Sequence, residues 1–140
     1  MTDLLDDRQT LVGHVITNYS GAATAFYPGE EVQPPEPSGD IGSPTRYWMM
    51  EVNYDSVERS DFDGGEIRKG ELGFSIWIER CGSDQHLIDT ADEIITALAV
   101  SGLSNDYHVD TKRRILRDSA TDGPWEGRFL SVPFWAGLSG

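Results

Sequence analysis

The side chains able to do chemistry are few and scattered. Cys81 precedes a predicted helix N-terminus, a setting that lowers a thiol pKa, and His86 is near it in sequence. A nucleophile also needs a base held within hydrogen-bond reach. No further motif supports this pair, and a small structural cysteine is the alternative. His14, His86 and His108 fall on different predicted elements and show none of the paired spacings of a zinc site. "DFDGGE" offers Asp61, Asp63 and Glu66. Counted from Asp61, a calcium loop of the EF-hand type needs an oxygen ligand at position 5, Gly at 6 and Glu at 12. The chain has Gly65, Glu66 and Leu72 there, so the expectation is an acidic solvated loop and no metal. No GxxxxGK[ST], no GxGxxG after a strand and no GxSxG elbow occurs. No catalytic residue and no cofactor is assigned.

"KRRILR" is the strongest charge feature. Lys112, Arg113, Arg114 and Arg117 are four of the eleven basic residues of the chain. Read as a strand, it places Arg113 and Arg117 on one face and Lys112 and Arg114 on the other. Three readings stand: a nucleic-acid patch, a surface that meets carboxylates on a neighbouring copy, and a solvated basic strand. The whole chain argues against general nucleic-acid binding, with 24 acidic residues and a net charge of −13. Affinity for a phosphate backbone comes from basic residues that release counterions. An acidic surface repels DNA over roughly 8–10 Å at ordinary salt. That suits DNA passing a surface without sticking, and it also suits simple solubility.

The elements that must position these residues follow from periodicity. The 140 residues fit one domain with a core of its own. One cysteine allows no internal disulfide. The first twenty residues carry Asp3, Asp6 and Asp7 and no basic region, so no signal peptide is expected. No apolar run reaches the ~20 residues of a membrane helix. Leu4, Leu5, Leu11, Val12, Val15, Ile16 and Tyr19 predict an amphipathic first helix. Thr2 is its expected cap, Gly21 its stop, and His14 falls on its polar side. Residues 28–45 hold five prolines and three glycines, which predicts a loop, with Val32 and Ile41 tacking it to the surface.

"RYWMMEVNYD" and "EIRKGELGFSIWIER" alternate as strands. Trp48, Met50, Val52 and Tyr54 share one face of the first, and Leu72, Phe74, Ile76 and Ile78 one face of the second. Gly70 and Gly73 predict a bulge or a close backbone approach. Ser83 starts a second helix with Leu87, Ile88, Ala91, Ile94, Ile95 and Leu98 in phase, ended by Gly102. Residues 107–118 read as a strand. "GPWEGRFLSVPFW" reads as a turn and a last strand, with Leu130, Val132 and Phe134 inward and Phe129, Ser131 and Trp135 outward. Pro133 suggests an edge strand. The sum is an α+β two-layer sandwich, a mainly antiparallel sheet with two helices packed on one face. Phe129 and Trp135, left on the uncovered face, join Lys112, Arg113, Arg114 and Arg117 as the expected subunit interface.

The order of segments resembles the tail terminator (tail completion) proteins of long-tailed bacteriophages. The resemblance covers most of the chain. It rests on the N-terminal helix, "FYPG" with its Pro-rich loop, and "RYWMMEV". "RKGELGFSIWIERCGSDQHLIDTADEIITAL" and the closing "GPWEGRFLSVPFW" complete it. Such a resemblance implies a non-enzymatic protein that closes with copies of itself into a ring, usually a hexamer. The ring caps the tail tube protein, ends its polymerisation and joins the tail to the head-side connector, while DNA passes through an acidic lumen without specific binding. It implies assembly in the host cytoplasm, residence in the virion at the tail–head junction, and no membrane partner. This chain is more acidic, and its 28–45 loop richer in proline, than the resemblance requires. Two other readings remain beside it: another neck, connector or head-completion subunit, and a metal-dependent enzyme using Asp61, Asp63, Glu66 and a histidine.

Overall fold

The computed structural model describes residues 4–59, 66–80, 84–117 and 120–137. Helix α1 (Leu4–Asn18) is followed by a short strand β1 (Thr24–Phe26), then β2 (Arg46–Arg59) and β3 (Glu66–Glu79). Helix α2 (Gln85–Ala99) leads to β4 (Tyr107–Val109), a single 3₁₀ turn (Thr111–Arg113), β5 (Ile115–Leu116), β6 (Ala120–Asp122) and β7 (Trp125–Ala136). The sheet runs β1-β2-β3-β7-β4, and β5 and β6 also pair with β7. Among the described strands only β1 is parallel to its neighbour. This is the expected α+β class. Among the described residues no helix is long and apolar enough to cross a membrane.

The alternating residues meet as their pattern dictates. Trp48 and Met50 of β2, Leu72, Phe74, Ile76 and Ile78 of β3, and Leu130, Val132 and Phe134 of β7 are all buried. They face Leu11, Val12 and Val15 of α1 and Leu87, Ala91, Ile94 and Leu98 of α2 in one core. Each such side chain removed from water contributes about 1.5–3 kcal/mol. Tyr19 and Tyr27 close the core edge on against Trp48, with ring centroids 5.0 and 5.4 Å away.

Several expectations need correction. Leu11, Val12 and Val15 of the expected α1 stripe are buried, but Leu4, Leu5 and Ile16 are exposed, so the helix is turned partway from that stripe. Its inner side adds Asp7 and His14 to Leu11, Val12 and Val15. His14 is therefore buried, with Nδ1 3.3 Å from the Asn18 side-chain amide. The reason lies on β3. Arg68 points into the core layer, and its Nη2 donates to Asp7 Oδ1 at 2.8 Å while its Nε donates to Asp7 Oδ2. A buried charge needs a partner of opposite sign, and this pair fixes the helix's rotation. α1 ends at Asn18 and α2 at Ala99, each before the glycine expected to stop it. Thr2 and Ser83 lie outside the described residues.

The predicted strand 107–118 is broken. The Asp110 side chain accepts from the Lys112 backbone N–H at 3.2 Å and caps the 3₁₀ turn, a local bond that competes with a ladder. β7 is central, not an edge. Pro133 is tolerated because it sits where β4 gives way to the turn. Its carbonyl accepts from Asp110 N–H at 2.9 Å, so its missing donor faces that same interrupted side. Val32 and Ile41 are exposed and do not hold the Pro-rich loop. Glu79 does. Its carboxylate accepts from the backbone N–H groups of Ser38, Gly39 and Thr45 and from the Ser38 hydroxyl, at 2.6–3.1 Å. Those bonds hold its pKa down, at about 2.

Candidate subunit interface

The helices cover one face of the sheet, and alternation puts the remaining strand residues on the other. β3 presents Lys69, Glu71, Gly73, Ser75 and Trp77 there, and β7 presents Gly127, Phe129, Ser131, Pro133 and Trp135. Two glycines shape this face. A Cβ on Gly127 would stand 2.5 Å from the Trp77 ring, and one on Gly73 would stand 2.6 Å from the Phe129 ring. The two aromatics therefore lie down across neighbouring strands and cover glycine backbone. Gly70 has a different role. It faces the β2 bulge between Tyr54 and Ser56, and a Cβ there would be 1.9 Å from the Asn53 carbonyl oxygen.

Phe129 and Trp135 are partly buried by their own sheet, as is Trp77. Trp77 Nε1 has no hydrogen-bond partner among the described residues. Beside it Ser75, Trp77, Ala120, Gly127, Arg128 and Phe129 line a hollow of about 190 Å³. At the far end of β7, Trp135 packs against His108, ring centroids 5.6 Å apart. The face is thus apolar in patches, with polar groups between them. The Ser131 hydroxyl donates to the Glu71 carboxylate, and Arg117 Nη2 stands 4.0 Å from the same carboxylate.

The basic segment forms the border of this face, though not as one strand. Lys112 and Arg113 belong to the 3₁₀ turn, so Arg113 and Arg117 do not share a strand face as expected. Arg113 is 74% exposed and its Nε is 3.5 Å from Asp110. Arg114 Nη1 donates to the Thr111 carbonyl at 3.0 Å. Arg117 is exposed and joined to the face through its backbone, whose N–H donates to Phe129 O at 2.8 Å. Ile115, between these cations, is an exposed apolar side chain. The structure therefore brings Arg117 and Phe129 together and leaves Lys112, Arg113 and Arg114 along the rim.

Asp61 and Asp63 lie outside the described residues. Glu66 opens β3, exposed, with Oε2 4.0 Å from Arg68 Nη1. Among the described residues no three His, Cys, Asp or Glu side chains group to hold a metal. The histidines stand on α1, α2 and β4. Sequence reasoning missed the polar clamp behind α1. There Tyr54 donates to Asp7 Oδ2 at 3.1 Å, and its own pKa is pushed up, first by burial and then by the Asp7 charge. The spacing Asp7, Leu11, Val15 placed a carboxylate on the apolar side and was the available signal.

No family model matches the chain, and no curated protein matches it. Seventeen chains of solved structures do match. One of them, which carries no functional name, aligns over 93% of this chain and 89% of its own at a TM-score of 0.53 and 11% identity. At that identity the likeness establishes the fold alone.

Proposed function

We propose that this protein is a structural subunit of the phage tail–head junction, a tail terminator that closes with its own copies into a ring. The ring caps the tail tube, ends tube growth and joins the head-side connector, in the virion, after assembly in the host cytoplasm. The observation that carries the reading is the sheet face turned away from the helices, beyond its one end where Tyr47, Glu79 and Trp125 are buried. Partly buried Phe129, Trp77 and Trp135 share it with a rim of exposed cations at Lys112, Arg113, Arg114 and Arg117. Apolar patches bordered by charge are the usual anatomy of a protein–protein contact. The net charge of −13 supports a lumen through which DNA slides without adhering. The segment order on which the resemblance rests supports the tail rather than another ring.

The test is assembly. Light scattering after size exclusion should give a closed oligomer, alone or with purified tail tubes, and electron microscopy should place it at the head-proximal tube end. A chain that stays monomeric at high concentration and leaves tube length unchanged refutes the proposal. A ring found on the head-side connector and absent from tube ends favours the adaptor reading.

A further inference from the structure

The two borders of the sheet differ in kind. On one side, β4, β5 and β6 are strands of two or three residues interrupted by the 3₁₀ turn. Short, broken edges of this sort offer another chain no long row of backbone groups to pair with. The other side is β2, fourteen residues long. β1 covers it only at Tyr47, Trp48 and Met49. From Met50 to Val57 no strand among the described residues pairs with its outer side. The outward backbone N–H and C=O groups of that stretch have no strand partner among the described residues.

Two of the four exposed side chains from Met50 to Val57 are acidic, with Ser56 and Val57 beside them. Glu51, Asp55 and Val57 are exposed. The opposite border carries exposed Arg113, Arg114 and Arg117 around exposed Ile115. β3 and β7 lie between the two borders, a separation of roughly three strand spacings of about 4.8 Å. The borders therefore cannot meet within one copy. They are unlike and complementary, and a contact between unlike patches runs head to tail, which gives a ring where the rotation between copies closes and a filament where it does not.

We infer that the open border of β2, residues 50–57, receives the 112–117 segment of a neighbouring copy. Arg113 and Arg114 of one copy pair with Glu51 and Asp55 of the next. The two extended residues of the segment, Ile115 and Leu116, can take main-chain hydrogen bonds from that border, and the 3₁₀ turn before them cannot. The charges set orientation and exclude like-to-like pairing. This inference rests on the ring reading above and names the surface that completes it.

The test is a charge exchange. The variant Glu51→Arg/Asp55→Arg should associate at least about tenfold more weakly than the parent chain. So should Arg113→Glu/Arg114→Glu. Mixing the two variants one to one should restore oligomers, because each supplies the border the other lacks. Sedimentation velocity reads all three states, and far-UV circular dichroism confirms that both variants fold. If the parent chain forms rings and both variants do so equally well, the pairing of these borders is wrong and the ring reading survives. Two defective variants that do not rescue each other also refute the pairing. If the parent chain forms no oligomer, alone or on tubes, both readings fall together.

Discussion

Replacing Asp7 by Ala should be among the most damaging single changes outside the apolar core. Asp7 is fully buried and Arg68 is 3% exposed, and the two form a forked pair with both carboxylate oxygens engaged. Removing the carboxylate leaves a guanidinium in a site shielded from water. The general cost of such a loss is about 3–5 kcal/mol. Tyr54→Phe removes only the hydroxyl bond to Asp7 and should cost about 1.5 kcal/mol, the lower figure for a bond to a charged acceptor. Arg68→Met should resemble Asp7→Ala, because it strands the carboxylate. The double change Asp7→Leu/Arg68→Met removes both charges together, and replacing a buried pair with apolar groups is often close to neutral. It should therefore be more stable than either single variant. Urea unfolding reads the differences directly, and the two single variants should also melt lower by roughly 10–20 °C. Single variants that lose less than about 1 kcal/mol, or a double variant as unstable as the sum of the two, would refute the claim that this pair sets the rotation of α1.

Glu79 gives a pH dependence. Its folded pKa of about 2 lies below the ordinary 4.5, so its stabilisation is complete above about pH 4.5 and fades as pH falls towards 2. Hydrogen-exchange protection at Ser38, Gly39 and Thr45, taken relative to the intrinsic rate at each pH, should fall across that window, while in Glu79→Gln it should already be low at pH 7 and change less; equal profiles would refute the anchor. Gly127→Ala should cost about 1–3 kcal/mol through overpacking and shift tryptophan emission by lifting Trp77 off the sheet, and an unchanged spectrum with unchanged stability would refute that contact. Gly70→Ala should cost more, since the obstacle is the Asn53 backbone oxygen and not a movable ring, which denaturant midpoints can compare. Arg113→Glu should weaken ring formation more than Lys69→Glu, because Arg113 stands on the exposed rim and Lys69 stands on β3 inside the sheet, and equal losses by light scattering would refute the rim assignment.

The core was legible wherever burial alone chose the residue. Leu72, Phe74, Ile76 and Ile78 alternate with polar neighbours, and a period of two has one structural solution when a face must be dry. Leu87, Ala91, Ile94 and Leu98 were equally plain on α2. The reading failed where a polar group decided the outcome. α1 carries enough apolar side chains for more than one rotation, and Asp7 selects among them by finding Arg68 sixty-one residues away. Periodicity does not carry that distance. Asp110 defeated the strand reading over 107–118 with one bond to the Lys112 N–H. β1 escaped notice because three residues are too short to show a period. The rim cations were legible as a cluster, but their geometry was not, since a 3₁₀ turn in place of a strand redirects Lys112 and Arg113.

The outer face joins these observations to assembly. Gly73 and Gly127 let Phe129 and Trp77 lie flat, so much of their surface is covered before any partner arrives. What remains is a shallow patch, and burying little apolar area contributes little free energy at about 25 cal/mol per Å². Such a face does not drive tight association by itself, because docking also costs several kcal/mol of lost rotation and translation. A border of complementary charge adds orientation and speed, and its effect falls as salt rises. The expected behaviour is self-association that is weak and salt-sensitive in free solution. It should become firm where a tube end holds several copies at high local concentration. Titrating salt from about 0.05 to 0.5 M should therefore dissociate free rings well before it strips rings from tubes. Rings in solution that are indifferent to salt would place the binding energy on the aromatic face and take it from the charged border.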